Sequence, residues 1–476
     1  MGKLLTISLA VSVLPPISWV AKVTKLADNY LRRHMKSLKL YLTASILSVI
    51  FLLGGGWWFF STVGEREKPT VTFGEDLRSM GKLKTINISF SDRNSGLRSI
   101  SVAIVQDNKP HVLATETFPQ KGVKQKKLSL AVATSALKLH DGLATLRVVA
   151  VDHSVFKNEI SMDRPLSIDL VPPQIYLLTS TNIINPGGCC LVAFRTSEPT
   201  VASGVQVNNN FSPAYPATIA GKPANLAYFA LPMVSRGEGV SVRIVARDGG
   251  DNETSITLPS LIRMKKFRSD KMQLSEKFLN QKMLDFQPLP PELQGKSPLE
   301  IFSYVNGQLR LANEATIREV CRQSDPRQLW EGTFLRMKDA SPMAQFGDKR
   351  AYMYEKKVVG ESVHLGVDLA SLANAPVEAS NNGIVKYAGS LGIYGNAIIV
   401  DHGQGIFSVY GHLSVINVQV GQNLKKGDVM GKTGTTGLAA GDHLHFSILV
   451  GGQFVNPVEW WDPHWIQDNV TNKLNG

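Results

Sequence analysis

Cysteine is scarce in this chain of 476 residues: Cys189, Cys190 and Cys321 are its only three. None of them forms a CxxC pair, and adjacent cysteines rarely bridge each other. A zinc–cysteine site and a disulfide framework are therefore excluded, leaving at most a bridge from Cys321 to one of the pair. Acidic residues are outnumbered, 39 against 51 basic, for a formal charge of +12. Half of that excess lies in residues 1–39, where Lys3, Lys22, Lys25, Arg32, Arg33, Lys36 and Lys39 face Asp28 alone and give +6. The rest of the chain is close to balanced. The basic character thus belongs to a tail, and no nucleic-acid-binding motif accompanies it. Nor is there a phosphate loop: Thr433-Gly434-Thr435-Thr436-Gly437 lacks the GK[ST] ending and a following helical pattern.

Long apolar runs are also few. The strongest is Leu40 to Phe60, which carries no charge and ends in Trp57-Trp58-Phe59-Phe60. At about 1.5 Å per residue it reaches roughly 31 Å, enough to cross the hydrocarbon layer as a helix. Arg32, Arg33, Lys36 and Lys39 precede it, whereas Glu65, Arg66, Glu67 and Lys68 after it nearly cancel. The positive-inside rule then places the N-terminus in the cytoplasm and the chain beyond about residue 61 outside. An earlier apolar run, Leu4 to Val20, is interrupted by Pro15-Pro16; a signal peptide is one reading, and a mobile or surface-lying leader is preferred because the stronger segment follows. The expected order is a basic cytoplasmic leader (1–39), then a single transmembrane helix (40–60).

The length predicts roughly three folded units. Forty glycines and 24 prolines point to many turns, as in β-rich proteins. Residues 70–260 contain alternating runs at Thr85–Phe90, Ser99–Val105, Thr145–Asp152 and Val240–Asp248. The last two each end in Asp followed by a polar turn with Asn (Asp152…Asn158 and Asp248…Asn252), a weak internal repeat. Val171-Pro172-Pro173 falls between the copies. The expectation is two small immunoglobulin-like β-sandwiches, 70–170 and 172–260, that act as spacers or bind wall or partner. Residues 262–330 switch to helical spacing interrupted by Pro288, Pro290 and Pro291. They read as a helical connector that packs an apolar stripe, or as a lid over the C-terminal unit. From 331 to 476 the chain is again β and dense in glycine.

That C-terminal stretch carries the chemistry. In Gly441-Asp442-His443-Leu444-His445-Phe446, strand alternation puts His443 and His445 on one face. Two imidazoles on one face of a buried strand argue for a metal. His364-Leu365-Gly366-Val367-Asp368 places a histidine and a carboxylate four apart, which also share a face of an extended backbone. Val409-Tyr410-Gly411-His412-Leu413-Ser414 ends an apolar run in a further histidine. A catalytic zinc site takes about three protein ligands and keeps one position open for water. His364, Asp368 and one histidine of the pair meet that count. The other histidine of the pair, with His412, is then free for proton transfer or oxyanion stabilisation. His402, in a Gly-flanked turn, reads as structural.

These motifs, in this order, resemble the lysostaphin/LytM-like zinc metallopeptidases, over about residues 340–457. The similar text includes Gln345-Phe346-Gly347-Asp348-Lys349-Arg350, the segment His364 to Asp368, Ala375-Pro376-Val377-Glu378-Ala379, Asn382-Gly383-Ile384-Val385, Tyr394-Gly395-Asn396, Asp401-His402-Gly403, Tyr410 to Ser414, Val420-Gly421-Gln422, Gly431-Lys432-Thr433-Gly434 and His443 to Phe446. Two departures stand out: Ser371-Leu372-Ala373-Asn374 replaces the usual small/Pro/Gly loop, and Ser447 stands where an acidic residue is common. The resemblance implies an antiparallel β metallopeptidase domain with Zn2+ held by His364, Asp368 and His445. It also implies His412 and His443 as catalytic residues, one taking a proton and the other steadying the oxyanion, and Tyr394 and Asn396 as substrate-binding residues.

The function it implies is a membrane-anchored zinc metalloendopeptidase. Its substrates would be the stem and cross-link peptides of bacterial peptidoglycan. The single span, without a wall-anchoring signal, fits a Gram-negative inner membrane crossed once, with the C-terminal domains in the periplasm. A regulatory protein partner is compatible with this. The alternative is a non-catalytic LytM-like regulator that binds and activates a cell-wall amidase. Such proteins usually lose metal ligands, and here all five histidine and aspartate positions are filled.

Overall fold

The computed structural model describes residues 17–62, 66–179, 182–233, 239–263 and 265–474. The expected leader lies, for residues 1–16, outside the described residues. From Ile17 onward it is helical: one helix runs Ile17–Thr62 through the basic segment and the apolar one. No proline interrupts the sequence after Pro16 until Pro69, so nothing forces a break between them. Its Leu38–Phe59 stretch, 22 residues, is long and apolar enough to cross a membrane, and none of it is buried within the protein. Leu40, Phe51 and Trp57 are 69%, 81% and 76% exposed. A helix apolar on all sides that packs against nothing has no aqueous reason to be so.

Beyond that helix the chain is mainly β. It forms two compact units, the second running essentially from residue 168 to the C-terminus. In the first, the strands Thr70–Phe73, Leu83–Ser91 and Gln125–Ala133 make one sheet. Glu159–Ile168, Gly142–Asp152, Leu97–Gln106 and Lys109–Thr117 lie in that order in another. Each sheet buries alternate residues, Ile86, Ile88 and Phe90 in one and Ile100, Val102, Ile104, Leu146, Val148 and Ala150 in the other. That period-two burial is what an immunoglobulin-like sandwich requires.

The second unit opens with another sandwich. One sheet orders Tyr215–Ile219, Lys222–Ala230, Cys189–Thr196 and Ile175–Leu177; the other orders Asn210–Pro213, Ala202–Val207, Val242–Arg247 and Glu253–Thr257. Val192, Phe194, Ala227 and Phe229 meet Val205, Val242 and Ile244 in a shared core. The opposite face of the first sheet is buried too: Leu191, Leu226 and Tyr228 join the core of the C-terminal domain, where the Tyr228 ring lies 6.3 Å from the rings of Trp330 and Trp460. Double-sided burial explains why Cys189 to Phe194 reads as an unbroken apolar run rather than an alternation. All three cysteines are free and buried, so no bridge forms. The internal repeat has a structural meaning. Asp152 accepts from the backbone of Ser154 and Asn158 at 3.0 and 2.8 Å and from the Asn158 carboxamide at 2.7 Å. Asp248 accepts in the same way from Gly250 and Asn252. In both sandwiches the carboxylate closes a turn.

The segment expected to be a helical connector begins as a strand. Ser269–Gln273 runs parallel to Lys349–Tyr354, which pairs in turn with Lys357–Val363. Helices follow at Glu276–Lys282, Pro298–Tyr304 and Arg310–Val320. Ser297 and Glu300 form a reciprocal capping box that starts the second of these. Leu279, Met283, Ile301, Phe302, Val305 and Ile317 deliver the apolar stripe to the main core.

The C-terminal domain is built on an antiparallel sheet ordered Ser341–Ala344, Val367–Ala370, Leu444–Val450, Ile406–Leu413, Asn396–Gly403, Gly383–Ser390 and Asn423–Leu424, with Gln453–Val455 returning beside Leu444–Val450. The two central strands, Ile406–Leu413 and Leu444–Val450, are buried along their whole length. His412 and His445 therefore sit near the ends of two fully buried strands.

Candidate active site

Asp368 and His445 are directly opposed residues on neighbouring strands, 77 positions apart in sequence. His364 does not share a strand with Asp368. It comes just after the end of Lys357–Val363, and the chain turns before entering Val367–Ala370. The shared-face expectation for the HxxxD motif therefore fails in its geometry, although the two side chains still meet. Gly366 lets the chain pass close to the neighbouring strand: a Cβ there would lie 2.6 Å from the His445 ring. Likewise the strand carrying His445 starts at Leu444, and His443 makes an isolated bridge to Gly434.

Three atoms converge. His364 Nε2 lies 2.9 Å from Asp368 Oδ1, His445 Nδ1 lies 2.9 Å from the same oxygen, and the two nitrogens are 3.1 Å apart. The protons of both rings are committed elsewhere. His364 Nδ1 donates to the Gln345 carbonyl at 3.0 Å. Ser447 Oγ donates to the Leu365 carbonyl, so it accepts from His445 Nε2 at 2.9 Å. The converging atoms are thus three lone-pair donors, buried, with no proton of their own to place between them. Such a set suits a divalent cation, and two imidazoles with a carboxylate are ligands of the zinc class. Arg350 donates to the other oxygen of Asp368 at 3.0 Å and orients the carboxylate.

His412 and His443 stand beside this cluster, their ring centres 4.8 Å apart, with His412 also 5.9 Å from the His445 ring. His412 adopts φ +63°, in the left-handed region, which costs a non-glycine residue on the order of 1–3 kcal/mol. Its Nδ1 donates to the Thr436 carbonyl at 2.8 Å and leaves Nε2 as an acceptor. His443 Nδ1 faces the Gly441 carbonyl at 2.8 Å, and its Nε2 lies 3.6 Å from Asp368 Oδ1. Burial, with the neighbouring His443 and His445, pushes His412 down to about 3. Burial pushes His445 down to about 4 against the pull of Asp368. For His443 burial also opposes the charge, but Asp368 outweighs it and the pKa rises. Burial alone would raise Asp368; His364, then His443 and His445, hold it well below the carboxylate range.

These residues line a cleft of about 440 Å3, together with Tyr394, Arg350 and Asp442. The Tyr394 ring packs edge-on to His445 with centres 5.3 Å apart. Asn396 is not among the lining residues; its carboxamide donates to the Leu413 carbonyl and braces the end of the His412 strand. His402 is fully buried between the Asn382 carbonyl and Ser408 Oγ, both at 2.7 Å, and burial lowers its pKa to about 4. Sequence reading passed over Arg350 as a partner of Asp368. The other wall of the cleft comes from the connector, through Arg268, Met272, Leu274, Phe278, Phe302 and Arg310.

Residues 362–457 match the family model of peptidase family M23. The chain is 41% identical over 96 residues to the DD-carboxypeptidase/endopeptidase Mpg of Neisseria meningitidis serogroup B, covering 20% of this chain and 22% of that protein. It is 33% identical over 116 residues to the peptidoglycan DD-endopeptidase ShyA of Vibrio cholerae, covering 24% and 26% respectively. Among solved structures, the catalytic domain of lysostaphin from Staphylococcus simulans aligns at 28% identity with a TM-score of 0.23, over 27% of this chain and 96% of that one. The chain thus spans about a quarter of the length of the curated relatives it matches. By its motifs and its matches to the family model and the two curated relatives, the C-terminal stretch at residues 362–457 is a peptidase family M23 domain.

Proposed function

We propose that this protein is a membrane-anchored, zinc-dependent endopeptidase that hydrolyses peptide bonds in bacterial peptidoglycan. The observation that carries the reading is the convergence of His364 Nε2, Asp368 Oδ1 and His445 Nδ1 as buried lone pairs. His412 and His443 stand beside it within one cleft. The two curated relatives, named as a DD-carboxypeptidase/endopeptidase and a peptidoglycan DD-endopeptidase, support the substrate class. The exposed apolar helix Leu38–Phe59 supports the anchor, and the basic residues before it support a cytoplasmic N-terminus with the remaining chain in the periplasm.

A zinc ion held by His364, Asp368 and His445 would polarise the scissile carbonyl and bring the pKa of its water towards roughly 7. The chain's own residues do the rest. His412 is fixed with Nε2 as an acceptor, which orients the attacking water and receives its hydrogen bond. His443, held closer to protonation by Asp368, is suited to carry a proton to the leaving amine. Arg350 and Ser447 keep Asp368 and His445 in their binding orientations. The loss of ligands typical of a non-catalytic regulator is not seen, which favours hydrolysis over amidase activation.

The test is zinc analysis of the full chain in detergent, combined with digestion of purified muropeptides, using His364→Ala and His443→Ala as controls. The expected result is about one zinc per chain and cleavage that both substitutions abolish. Absence of zinc, or cleavage indifferent to both changes, would overturn the reading.

A further inference from the structure

Three cationic side chains reach the cleft: Arg268, Arg310 and Arg350. Two are already neutralised, Arg268 by Asp270 and Arg350 by Asp368. Arg310 forms no ion pair among the described residues. Its Nε and Nη2 donate to the Asn306 backbone and side-chain oxygens at 3.2 and 3.0 Å. A guanidinium has five N–H donors, so three are left for a ligand. The nearest acid on its own helix, Glu314, pairs with Arg318 at 3.5 Å.

None of the carboxylates of the cleft forms an ion pair with it among the described residues. Asp270 and Asp368 hold the other two arginines. Asp348 accepts from the Gln345 backbone at 2.9 Å, and Asp442 accepts from Thr433 Oγ1 and the Asn374 backbone at 2.5 and 3.1 Å. Arg310 is therefore the one arginine of the cleft without an ion pair among the described residues; Glu314, one turn along the helix, feels its charge, and Leu274, Phe278, Phe302 and Ile393 lie in the same lining.

Its position is set by the fold. Arg310 lies one helical turn before Asn313, whose buried side chain accepts from the Ile393 backbone at 2.8 Å. That bond seats the helix on the turn bearing Tyr394, the residue packed on His445. Arg310 also lies outside residues 362–457, the stretch that the family model matches.

Resting on the hydrolase reading above, we propose that Arg310 binds a carboxylate of the substrate, so that the connector helix is part of the recognition site and the preferred peptides carry a free carboxylate near the scissile bond. A planar guanidinium matches a carboxylate in shape and charge, and a desolvated apolar wall strengthens the pair. A peptide's C-terminal carboxylate and an acidic side chain offer the same group.

The experiment uses the zinc-loaded full chain in detergent with a purified cross-linked muropeptide in three forms: unmodified, amidated at the C-terminus only, and amidated on side-chain carboxylates only. Loss of a charge-assisted contact corresponds to roughly a 10- to 100-fold effect. The unmodified chain should show that rise in KM on one of the two amidated forms, with kcat within about threefold. The form affected identifies the source of the carboxylate. Arg310→Met should show the same rise on the unmodified peptide and no further rise on the amidated one, while Arg310→Lys recovers part of it. Equal KM for all three peptides in the unmodified chain, or additive effects of mutation and amidation, would overturn the proposal and leave hydrolysis standing. Failure to cleave any form would instead count against the hydrolase reading. In that event, binding of the three peptides to the metal-free chain by calorimetry decides the question for Arg310. Tighter binding of the unmodified peptide that Arg310→Met removes sustains it, and equal binding overturns it.

Discussion

Ser447 Oγ sits between His445 Nε2, at 2.9 Å, and the Leu365 carbonyl, at 2.8 Å, and so decides which nitrogen of His445 keeps a lone pair. A carboxylate is common at this position in the resembling peptidases. Here a hydroxyl does the orienting, because its proton is already committed to a backbone oxygen. Ser447→Ala should lower zinc affinity by about 10- to 100-fold, the usual effect of losing such an outer partner. Competition with a chromophoric chelator measures this directly, without reference to catalysis. Unchanged affinity would mean that strand packing alone holds the ring.

The five polar residues of the site should separate into two classes when metal content and turnover are measured on the same samples. His364→Ala, Asp368→Ala and His445→Ala should lose zinc by more than the ~100-fold of an outer partner, and lose activity with it. His412→Ala and His443→Ala should retain zinc and lose about 10²- to 10⁴-fold in kcat, the range for a positioned proton-transfer group. If His443→Ala released the metal while His445→Ala kept it, the division of the HxH pair would be reversed.

Much of this was legible in the sequence because strand alternation is local. The strands around Ile88, Val102, Val148 and Ile244 follow from period-two runs, and the C-terminal histidines were visible as candidates. What local reading misses is which distant segments meet. His364 and Asp368 are brought together by a turn at Gly366, not by a common strand. The strand Ser269–Gln273 exists because Lys349–Tyr354 offers it an edge. No periodicity in its five residues announces that. The apolar run from Cys189 to Phe194 gave no alternation, because one face meets its own sandwich and the other meets Trp330 and Trp460. Arg310 was hidden for the same reason: only packing reveals that it lines the cleft and forms no ion pair among the described residues.

Glu459 should make stability depend on pH. It is buried against the Cys189 backbone N–H, at 3.1 Å, and burial raises its pKa to about 7. Because the folded value lies above the unfolded one, near 4.5, the protonated form favours folding. Its contribution is complete below about pH 4.5 and is lost as pH rises through about 7. The whole span corresponds to about 3 kcal/mol at 1.36 kcal/mol per unit. The difference in stability between the unmodified chain and Glu459→Gln, followed by urea unfolding from pH 4 to 8, should grow in favour of the glutamine variant across that window. A difference that stays flat would show that the carboxylate is solvated or paired in the folded state.

Asn313 should be the residue that holds the connector to the catalytic turn. Its Oδ1 accepts from the Ile393 backbone N–H, and an added Cβ at Gly392 would lie 2.2 Å from the same oxygen, so the two segments touch as closely as their atoms permit. Asn313→Ala strands a buried N–H, which costs about 1–3 kcal/mol. Leu311, on the same helix but 66% exposed, provides the contrast: Leu311→Ala should change stability by no more than about 0.5 kcal/mol. Hydrogen exchange read by mass spectrometry should show protection lost around residues 391–395 in Asn313→Ala and kept in Leu311→Ala. Because Tyr394 leaves its place against His445 when this turn loosens, Asn313→Ala should also lower turnover while zinc content stays normal. Protection lost over the whole domain, rather than at this turn, would mean that Asn313 supports the core and not the seat of the helix.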